Sequence, residues 1–237
     1  MPAEVPAQED RIVFAAVLAA GRSRRFGRNK LLEVLAGKPL VHRAAVLARS
    51  VCGERSVLVT GHDSAAVWAA AGDAARFVIV NDRHQQGIGR SIALAAHAVS
   101  HAADALLLLF ADQPLVTPQH LEALVARWSG ADNEIVATAF AGTVGPPVLF
   151  PRGAFEALGE LRGDEGAKRN LQDPAFDLKT VPFEDAAIDI DAPVDLERLG
   201  ALRRSGSRTA IGISRAEARS YSTRQTRRSG SRTAIAR

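Results

Sequence analysis

The chain has 237 residues, of which 47% are hydrophobic and 24% charged, so it is long enough to bury the core of one sizeable domain. No apolar run approaches the ~20 residues of a membrane helix, and the polar, acidic start "MPAEVPAQEDR" is unlike a signal peptide. A single cysteine, Cys52, excludes an internal disulfide and a multi-cysteine zinc site. We therefore expect a soluble cytoplasmic protein in which Cys52 is a small buried side chain.

The net charge of +4 is unevenly distributed along the chain. Residues 201–237 hold ten of the thirty basic residues and one acid and carry +9, whereas residues 1–200 hold 20 basic and 25 acidic side chains and carry −5. The basic segment repeats "RRSGSRTAI" at Arg203–Ile211 and Arg227–Ile235, and it has too few large apolar residues to offset the entropy of ordering. We predict a flexible N-terminus over 1–10, one folded domain over 11–202 and a disordered Arg/Ser-rich tail over 203–237.

The body alternates β-branched apolar runs with segments of helical spacing. In chain order, the predicted strands are Arg11–Leu18, Arg55–Thr60, Arg76–Val80, Asp104–Phe110 and Glu134–Phe140. The predicted helices are Pro39–Val51, Ser64–Gly72, Arg90–Ala102 and Pro118–Trp128. This alternation predicts an α/β fold of three layers, Rossmann-like, with a mostly parallel central sheet. Ligands of such folds bind at the carboxyl ends of the strands.

The loop behind the first strand, "VLAAGRSRRFGRNK" at Val17–Lys30, combines two glycines with four arginines and a lysine. Glycine lets the backbone approach a ligand closely, and the cations provide charge for a polyphosphate. The loop is not a Walker A motif, because Lys30 is not preceded by glycine or followed by Ser or Thr. The partial dinucleotide match at Gly87–Ile92 lacks its last glycine.

The same loop follows the pattern L-x-x-G-x-x-x-R-x-G-x-x-K through Leu18, Gly21, Arg25, Gly27 and Lys30, and here the chain resembles nucleotidyltransferases that activate phosphorylated substrates with an NTP. It looks most like the molybdenum cofactor cytidylyltransferases. The segments that carry this narrower resemblance are "FADQPLVTPQHL", "GPPVLFPRGAFEAL", "GDEGAK" and "DIDAPVDL". They occur in the family's order, and the resemblance covers about residues 12–200. It implies the nucleotidyltransferase fold and transfer of CMP from CTP to the phosphate of molybdopterin, which yields molybdopterin cytosine dinucleotide and pyrophosphate.

The resemblance also implies the catalytic residues. Asp112 follows an apolar strand at its carboxyl end, where a carboxylate suits Mg²⁺, a cation that takes one or two carboxylates plus substrate phosphates. The second magnesium ligand is expected from the "DIDAP" segment, with Asp191 preferred and Asp189 in reserve. Lys30 and Arg25 are expected to offset charge on the transition state and the leaving group.

Substrate contacts are expected from two further groups of residues. The predicted nucleotide-binding residues are Leu18, Ala19, Ala20, Gly21, Arg22, Ser23, Arg24, Gly87, Gly89 and Ser91. In the resembling family Ala-Ala-Gly accompanies cytidine and Ala-Gly-Gly guanosine, so Ala20 favours CTP. The predicted acceptor-binding residues are Pro146, Pro147 and Lys168.

Other interpretations of these features stay open. The acceptor could be a sugar phosphate or an isoprenoid-precursor phosphate, or the chain could be a non-catalytic nucleotide-binding accessory protein of a molybdenum enzyme. The glycines at Gly87 and Gly89 could only shape a connection. Neither a membrane nor a nucleic-acid partner is expected, and a molybdenum hydroxylase is the expected recipient of the product. His97 and His101, with no third ligand, predict exposed helix residues in place of a zinc site. Trp68 and Trp128 are predicted to pack in the core.

Overall fold

The computed structural model describes residues 11–23 and 25–204, and its centre is a seven-stranded sheet. The strands of this sheet are β1 (Val13–Ala19), β4 (Ser56–Thr60), β5 (Phe77–Val80), β6 (Ala105–Phe110), β7 (Glu134–Phe140), β8 (Thr143–Pro151) and β9 (Asp177–Pro182). A separate ribbon pairs β2 (Val34–Leu35) with β3 (Lys38–Pro39). The strand order in the sheet is β5-β4-β1-β6-β8-β7-β9.

The sheet is mostly parallel, as predicted. β4 and β6 run parallel to β1, β5 runs parallel to β4, and β9 runs parallel to β7. Only β8 runs antiparallel to both of its partners, β6 and β7. The register sets Ala19 beside Thr60 and Leu18 beside Phe110, so the carboxyl ends of β1, β4 and β6 meet at one edge. This edge is where the charged loop begins.

Helices cover both faces of the sheet. They are α1 (Leu40–Cys52), α2 (Ser64–Ala71), α3 (Ile88–Val99), α4 (Pro118–Arg127), α5 (Phe155–Gly159), α6 (Lys168–Leu171) and α7 (Pro193–Arg204). Alternating side chains of β6 show why the strand is apolar throughout: Leu107 and Leu109 join one core cluster and Leu106 and Leu108 the other. A strand buried on both faces has no need for polar alternation. The predicted three-layer α/β class is therefore confirmed.

Two strands of the central sheet that the sequence pattern did not predict are β8 and β9. β8 contains Gly145 and three prolines, which remove backbone donors and disfavour a strand assignment. The β7–β8 register shifts at Ala137/Thr138, so Pro146 and Pro147 lie in an irregular stretch of the ladder where N–H groups are not needed. β9 mixes polar and apolar residues and is partly exposed, so it lacks a clear period.

The single cysteine and the two tryptophans differ in how deeply they are buried. Cys52 is buried, as predicted, and burial raises the pKa of its thiol to about 11. Trp128 is buried, but Trp68 is 52% exposed and donates its indole N–H to the Ala75 carbonyl, so the prediction of core packing was wrong for Trp68. His97 and His101 are exposed.

The predicted termini lie largely outside the described residues. These are residues 1–10 and the part of the predicted tail beyond Arg204, and Arg24 is outside them as well. α7 continues to Arg204, two residues past the predicted domain boundary. Within residues 11–23 and 25–204, no helix has both the length and the apolar character needed to cross a bilayer.

Candidate functional site

The loop after β1 folds back on itself through Ser23. Ser23 has a φ of 49°, its carbonyl accepts the Phe26 N–H at 2.8 Å, and its hydroxyl accepts the Lys30 N–H at 3.1 Å. Gly27 has a φ of 77°, a left-handed conformation that costs glycine little. These contacts return the chain to the sheet edge with Lys30 directed inward. Gly21 and Arg22 stay exposed.

Phe26 anchors this loop, although it stands in a basic run. Its side chain is 6% exposed and packs in a small cluster with Leu40 and Ile190. Phe26 is not among the site residues that the sequence motifs predict. The available signal was one large apolar residue between Arg25 and Gly27, where an open surface loop would favour polar residues. Because Ile190 belongs to the same cluster, the loop and the C-terminal acidic segment are held together.

Lys30 lies between two carboxylates. Its Nζ is 2.7 Å from Oδ2 of Asp112 and 3.2 Å from Oδ1 of Asp191. The Lys30 side chain is 14% exposed, against 23% for Asp112 and 45% for Asp191, so the three groups form a pocket that opens on the Asp191 side. Arg25 reaches the same pocket from solvent, with Nη1 3.7 Å from Oδ2 of Asp191. Arg28 instead pairs with Glu33, so the basic side chains of the loop do not all converge.

The backbone explains why the two carboxylates meet. Asp112 follows β6, and its carbonyl accepts the N–H of Ile190 at 3.0 Å. Asp195, in the first turn of α7, accepts the N–H groups of Asp191 and Ala192 at 3.0 and 2.8 Å. A carboxylate that reaches back from the first turn stabilises a helix start and fixes the residues before it. Asp191 is thereby held beside the end of β6.

The electrostatics of the pocket follow from its crowding. Burial alone would lower the pKa of the Lys30 ammonium, but Asp112 and Asp191 outweigh burial and hold that pKa above its ordinary value. Lys30 is therefore charged at neutral pH. Burial, followed by the charge of Asp112, raises the pKa of Asp189 well above the ordinary carboxyl range. Its Oδ1 atom is buried, which sets it apart from the exposed carboxylate of Asp191.

The donor set fits a magnesium ion that also binds substrate oxygens. Asp112 and Asp191 converge on one cation, here the Lys30 ammonium, which shows that the pocket accommodates positive charge between them. Among the described residues, no cluster of three or more His, Cys, Asp or Glu side chains is arranged to hold a metal. Two carboxylates with substrate phosphates completing the shell are a common arrangement for Mg²⁺.

The predicted nucleotide-binding residues Leu18, Ala19 and Ala20 lie at the end of β1, beside the end of β4. Leu18, Ala19 and Ala20 are buried, and the Ala20 carbonyl accepts the His62 N–H at 3.4 Å. Gly61 is required here, because a Cβ at this position would lie 2.6 Å from Cβ of His84 and 2.9 Å from Cβ of Ala20. Ala20, Gly61 and His84 are therefore closely packed at this edge of the sheet.

Gly87, Gly89 and Ser91 are placed by contacts within the protein. A Cβ at Gly87 would lie 2.2 Å from the Gly163 carbonyl carbon, and one at Gly89 would lie 2.8 Å from the Arg162 nitrogen. The Ser91 hydroxyl is buried and accepts a hydrogen bond from Nδ2 of Asn81 at 2.9 Å. Close packing on the segment before α6 thus accounts for both glycines, and their role in binding a nucleotide stays a prediction.

The predicted acceptor residues lie on two different elements, β8 and α6. The Pro146 carbonyl accepts a hydrogen bond from Gln113, directly after Asp112, so the Pro146–Pro147 element borders the carboxylate pocket. Lys168 is exposed at the first position of α6, which has only four residues. A helix of one turn has little dipole to offer an anion, so the predicted role of Lys168 in binding the acceptor rests on its side-chain charge.

A model of the MobA-like NTP transferase domain matches residues 15–179. The chain belongs to the MobA-like NTP transferase family. The matched region contains Lys30 and Asp112 but ends before Asp191, which enters the site through the backbone contacts described above.

Relatives of this NTP transferase include proteins of different size. Purine catabolism protein PucB of Bacillus subtilis strain 168 is 34% identical over 163 residues, which are 65% of this chain and 78% of PucB. The bifunctional protein GlmU of Dinoroseobacter shibae is 37% identical over 124 residues, which are 51% of this chain and 28% of GlmU. The chain therefore matches most of PucB but less than a third of GlmU.

Solved structures support the fold over most of the NTP transferase chain. Rv0371c of Mycobacterium tuberculosis H37Rv superposes with a TM-score of 0.71 at 28% identity, covering 81% of this chain and 98% of Rv0371c. A manganese complex of Rv0371c superposes with a TM-score of 0.66 at 27% identity, covering 80% and 98% of the two chains. The narrower cytidylyltransferase subfamily implied by the sequence motifs is not distinguished by these similarities.

Proposed function

We propose that this NTP transferase transfers CMP from CTP to the terminal phosphate of molybdopterin and releases pyrophosphate. The observation that carries the proposal is the convergence of Asp112, Asp191 and Lys30 at the sheet edge where the loop after β1 begins. This pocket can neutralise a polyphosphate and hold one divalent cation. The motifs shared with molybdenum cofactor cytidylyltransferases select molybdopterin and CTP among the substrates that this chemistry allows.

No nucleophile from the protein is required. An oxygen of the acceptor phosphate attacks the α-phosphorus of CTP, the new P–O bond forms, and the bond from the α-phosphorus to the bridging oxygen breaks to release pyrophosphate. When bound by Asp112 and Asp191, Mg²⁺ supplies Lewis-acid polarisation of the phosphate oxygens. Lys30 neutralises charge that develops on the transferring group, and Arg25 does so from the solvent side.

The loop after β1 holds the leaving pyrophosphate in this mechanism. Backbone N–H groups of this loop, beginning at Ala20, are proposed to bind the β- and γ-phosphates, as in other anion-binding loops. Arg22 adds exposed positive charge there. Leu18 and Ala19 end β1 and fix the start of the loop.

Ala20 is proposed to select cytosine by size. Its Cβ lies close to Gly61, where an added Cβ would come within 2.9 Å of it. Replacing Ala20 with glycine removes this methyl group and should widen the cleft for a purine. We expect Ala20→Gly to raise the GTP-to-CTP ratio of kcat/KM by about 10-fold, the scale of one methyl group in a packed pocket.

The acceptor is proposed to bind between the Pro146–Pro147 element and the segment that leads to Lys168. Gln113 joins the Pro146–Pro147 element to the end of β6. Gly163, which precedes α6, packs closely on Gly87. The product would pass to a molybdenum hydroxylase in the cytoplasm. The name of PucB places that relative in purine catabolism, which is compatible with a role beside such an enzyme.

Pyrophosphate release by the purified chain tests this function. The protein is incubated with Mg²⁺ and molybdenum-loaded molybdopterin, with CTP and GTP compared side by side. Turnover with CTP exceeding that with GTP is the expected result. CTP turnover only with a sugar phosphate or an isoprenoid-precursor phosphate would replace the acceptor, and GTP preference would overturn the role of Ala20.

A further inference from the structure

Gln113 lies buried at the junction of three segments of the site. Gln113 is only 7% exposed. Its Nε2 donates hydrogen bonds to the carbonyls of Pro146 at 3.1 Å and Ala186 at 2.9 Å. One amide group therefore connects the end of β6 to the irregular stretch of β8 and to the turn that precedes Asp189 and Asp191. The proposed reaction gives Gln113 no part, because it is not placed against the substrate.

The orientation of the Gln113 amide follows from its partners. Both are carbonyl oxygens, which only accept hydrogen bonds, so the amino group must face them. The opposite orientation would set Oε1 against two other acceptors. Within residues 11–23 and 25–204, no group forms a hydrogen bond with Oε1. The two Nε2 contacts are therefore the polar anchors of this side chain.

The bond to Ala186 acts together with a neighbouring backbone contact. Ile190 N–H donates to the Asp112 carbonyl at 3.0 Å, so residues 112 and 113 hold the 186–190 segment at both of its ends. Asp112 takes part in the first of these contacts, and Asp191 directly follows Ile190 in the chain. A change at Gln113 would allow the second carboxylate to move relative to the first.

We infer that Gln113 is a positioning residue that sets the separation of Asp112 and Asp191 and thereby the affinity of the divalent cation. The inference rests on the proposed role of these two carboxylates. Partners that orient metal ligands commonly change metal affinity by about 10- to 100-fold when they are removed. Gln113 would act on the metal without touching it.

The fold provides a matched control on the other side of the same β8 element. The Thr138 hydroxyl donates to the Pro147 carbonyl at 2.7 Å and is 2.8 Å from Nε2 of His120. Thr138 is fully buried, and neither of these two contacts involves the 186–190 segment. Thr138→Val and Gln113→Met each leave two buried polar groups unpaired, so both should destabilise the fold.

The test is a Mn²⁺ titration of the full chain, followed by the EPR signal of free Mn²⁺, with and without α,β-methylene CTP. For Gln113→Met we expect the Mn²⁺ dissociation constant to rise at least about 10-fold. For Thr138→Val we expect it to stay within about twofold of wild type, even where both variants lose similar thermal stability. Saturating Mg²⁺ should restore most of the turnover of Gln113→Met.

Three results would overturn the inference: wild-type Mn²⁺ affinity in Gln113→Met, equal weakening in both variants in proportion to lost stability, or no Mn²⁺ binding by the wild-type chain. Failure of the proposed acceptor is separate. A wild-type chain that binds Mn²⁺ but does not turn over CTP with molybdopterin would contradict that acceptor and leave the comparison of the two variants intact.

Discussion

The Nζ of Lys30 lies 2.7 Å from Oδ2 of Asp112, and this pair joins the loop after β1 to the end of β6. Neither side chain is fully exposed, so the ion pair is screened less than a surface pair. A charge-assisted contact of this length is strong. Lys30 therefore neutralises the carboxylate pocket.

Lys30→Met should abolish most transfer but strengthen binding of the metal alone. Loss of a cation that stabilises the transition state costs about 10²- to 10³-fold in kcat. The two carboxylates would then lack the ammonium, so Mn²⁺ should bind more tightly in the absence of nucleotide. Steady-state kinetics and the EPR titration measure the two effects. Lys38→Met, at an exposed position of β3, is the control and should change neither.

Replacement of Asp191 should lower kcat more than replacement of Asp189. Lys30 reaches Asp191, whereas Asp189 has a buried Oδ1 and a raised pKa that favours its neutral form, which Asn imitates. We expect Asp191→Asn to lower kcat by about 10²-fold or more and Asp189→Asn to lower it far less. Circular dichroism checks that both variants fold. A larger loss for Asp189→Asn would transfer the ligand role to Asp189.

Phe26→Ala should loosen the loop after β1. The side chain is nearly buried in a cluster with Leu40 and Ile190, and Phe→Ala changes in such sites cost about 3–5 kcal/mol of unfolding free energy. Because this loop holds the phosphates in the proposed mechanism, KM for CTP should rise as well. Urea unfolding and kinetics measure both. Phe77→Ala, at a side chain 56% exposed, should cost under about 1 kcal/mol and leave KM unchanged.

His120 should make stability depend on pH. Burial lowers the pKa of His120 to about 4, and its ring packs on Phe183 with centroids 4.4 Å apart. In the unfolded chain this side chain binds a proton near pH 6.5, whereas in the folded chain it does so only near pH 4. The free energy of unfolding therefore falls as the pH drops from about 6.5 to about 4. The full loss is about 3 kcal/mol.

Urea unfolding at several pH values between neutrality and about pH 4 measures this contribution when wild type is compared with His120→Gln. The wild type should lose more stability than the variant as pH falls, and the difference between them should be constant above about pH 7. Parallel pH profiles for the two proteins would show that His120 titrates alike in the folded and unfolded chains.

The strands nearest the site were predictable from the sequence because burial on both faces leaves a continuous apolar signal, as in β6. β8 was not, because Pro146 and Pro147 disfavour a strand in isolation, and only the irregular pairing with β7 accommodates them. Trp68 was wrongly predicted to be buried, because helical spacing alone does not show whether another element covers that face of the helix.

Periodicity and local motifs, which are encoded within short segments, were enough to predict the α/β class, the charged loop after the first strand and the candidate residues Lys30, Asp112 and Asp191. Only the tertiary structure decided that one ammonium lies between the two carboxylates, that Phe26 holds the loop, and that Gln113 joins β6, β8 and the segment before Asp191. These relationships depend on contacts between residues far apart in the chain, which no local pattern specifies.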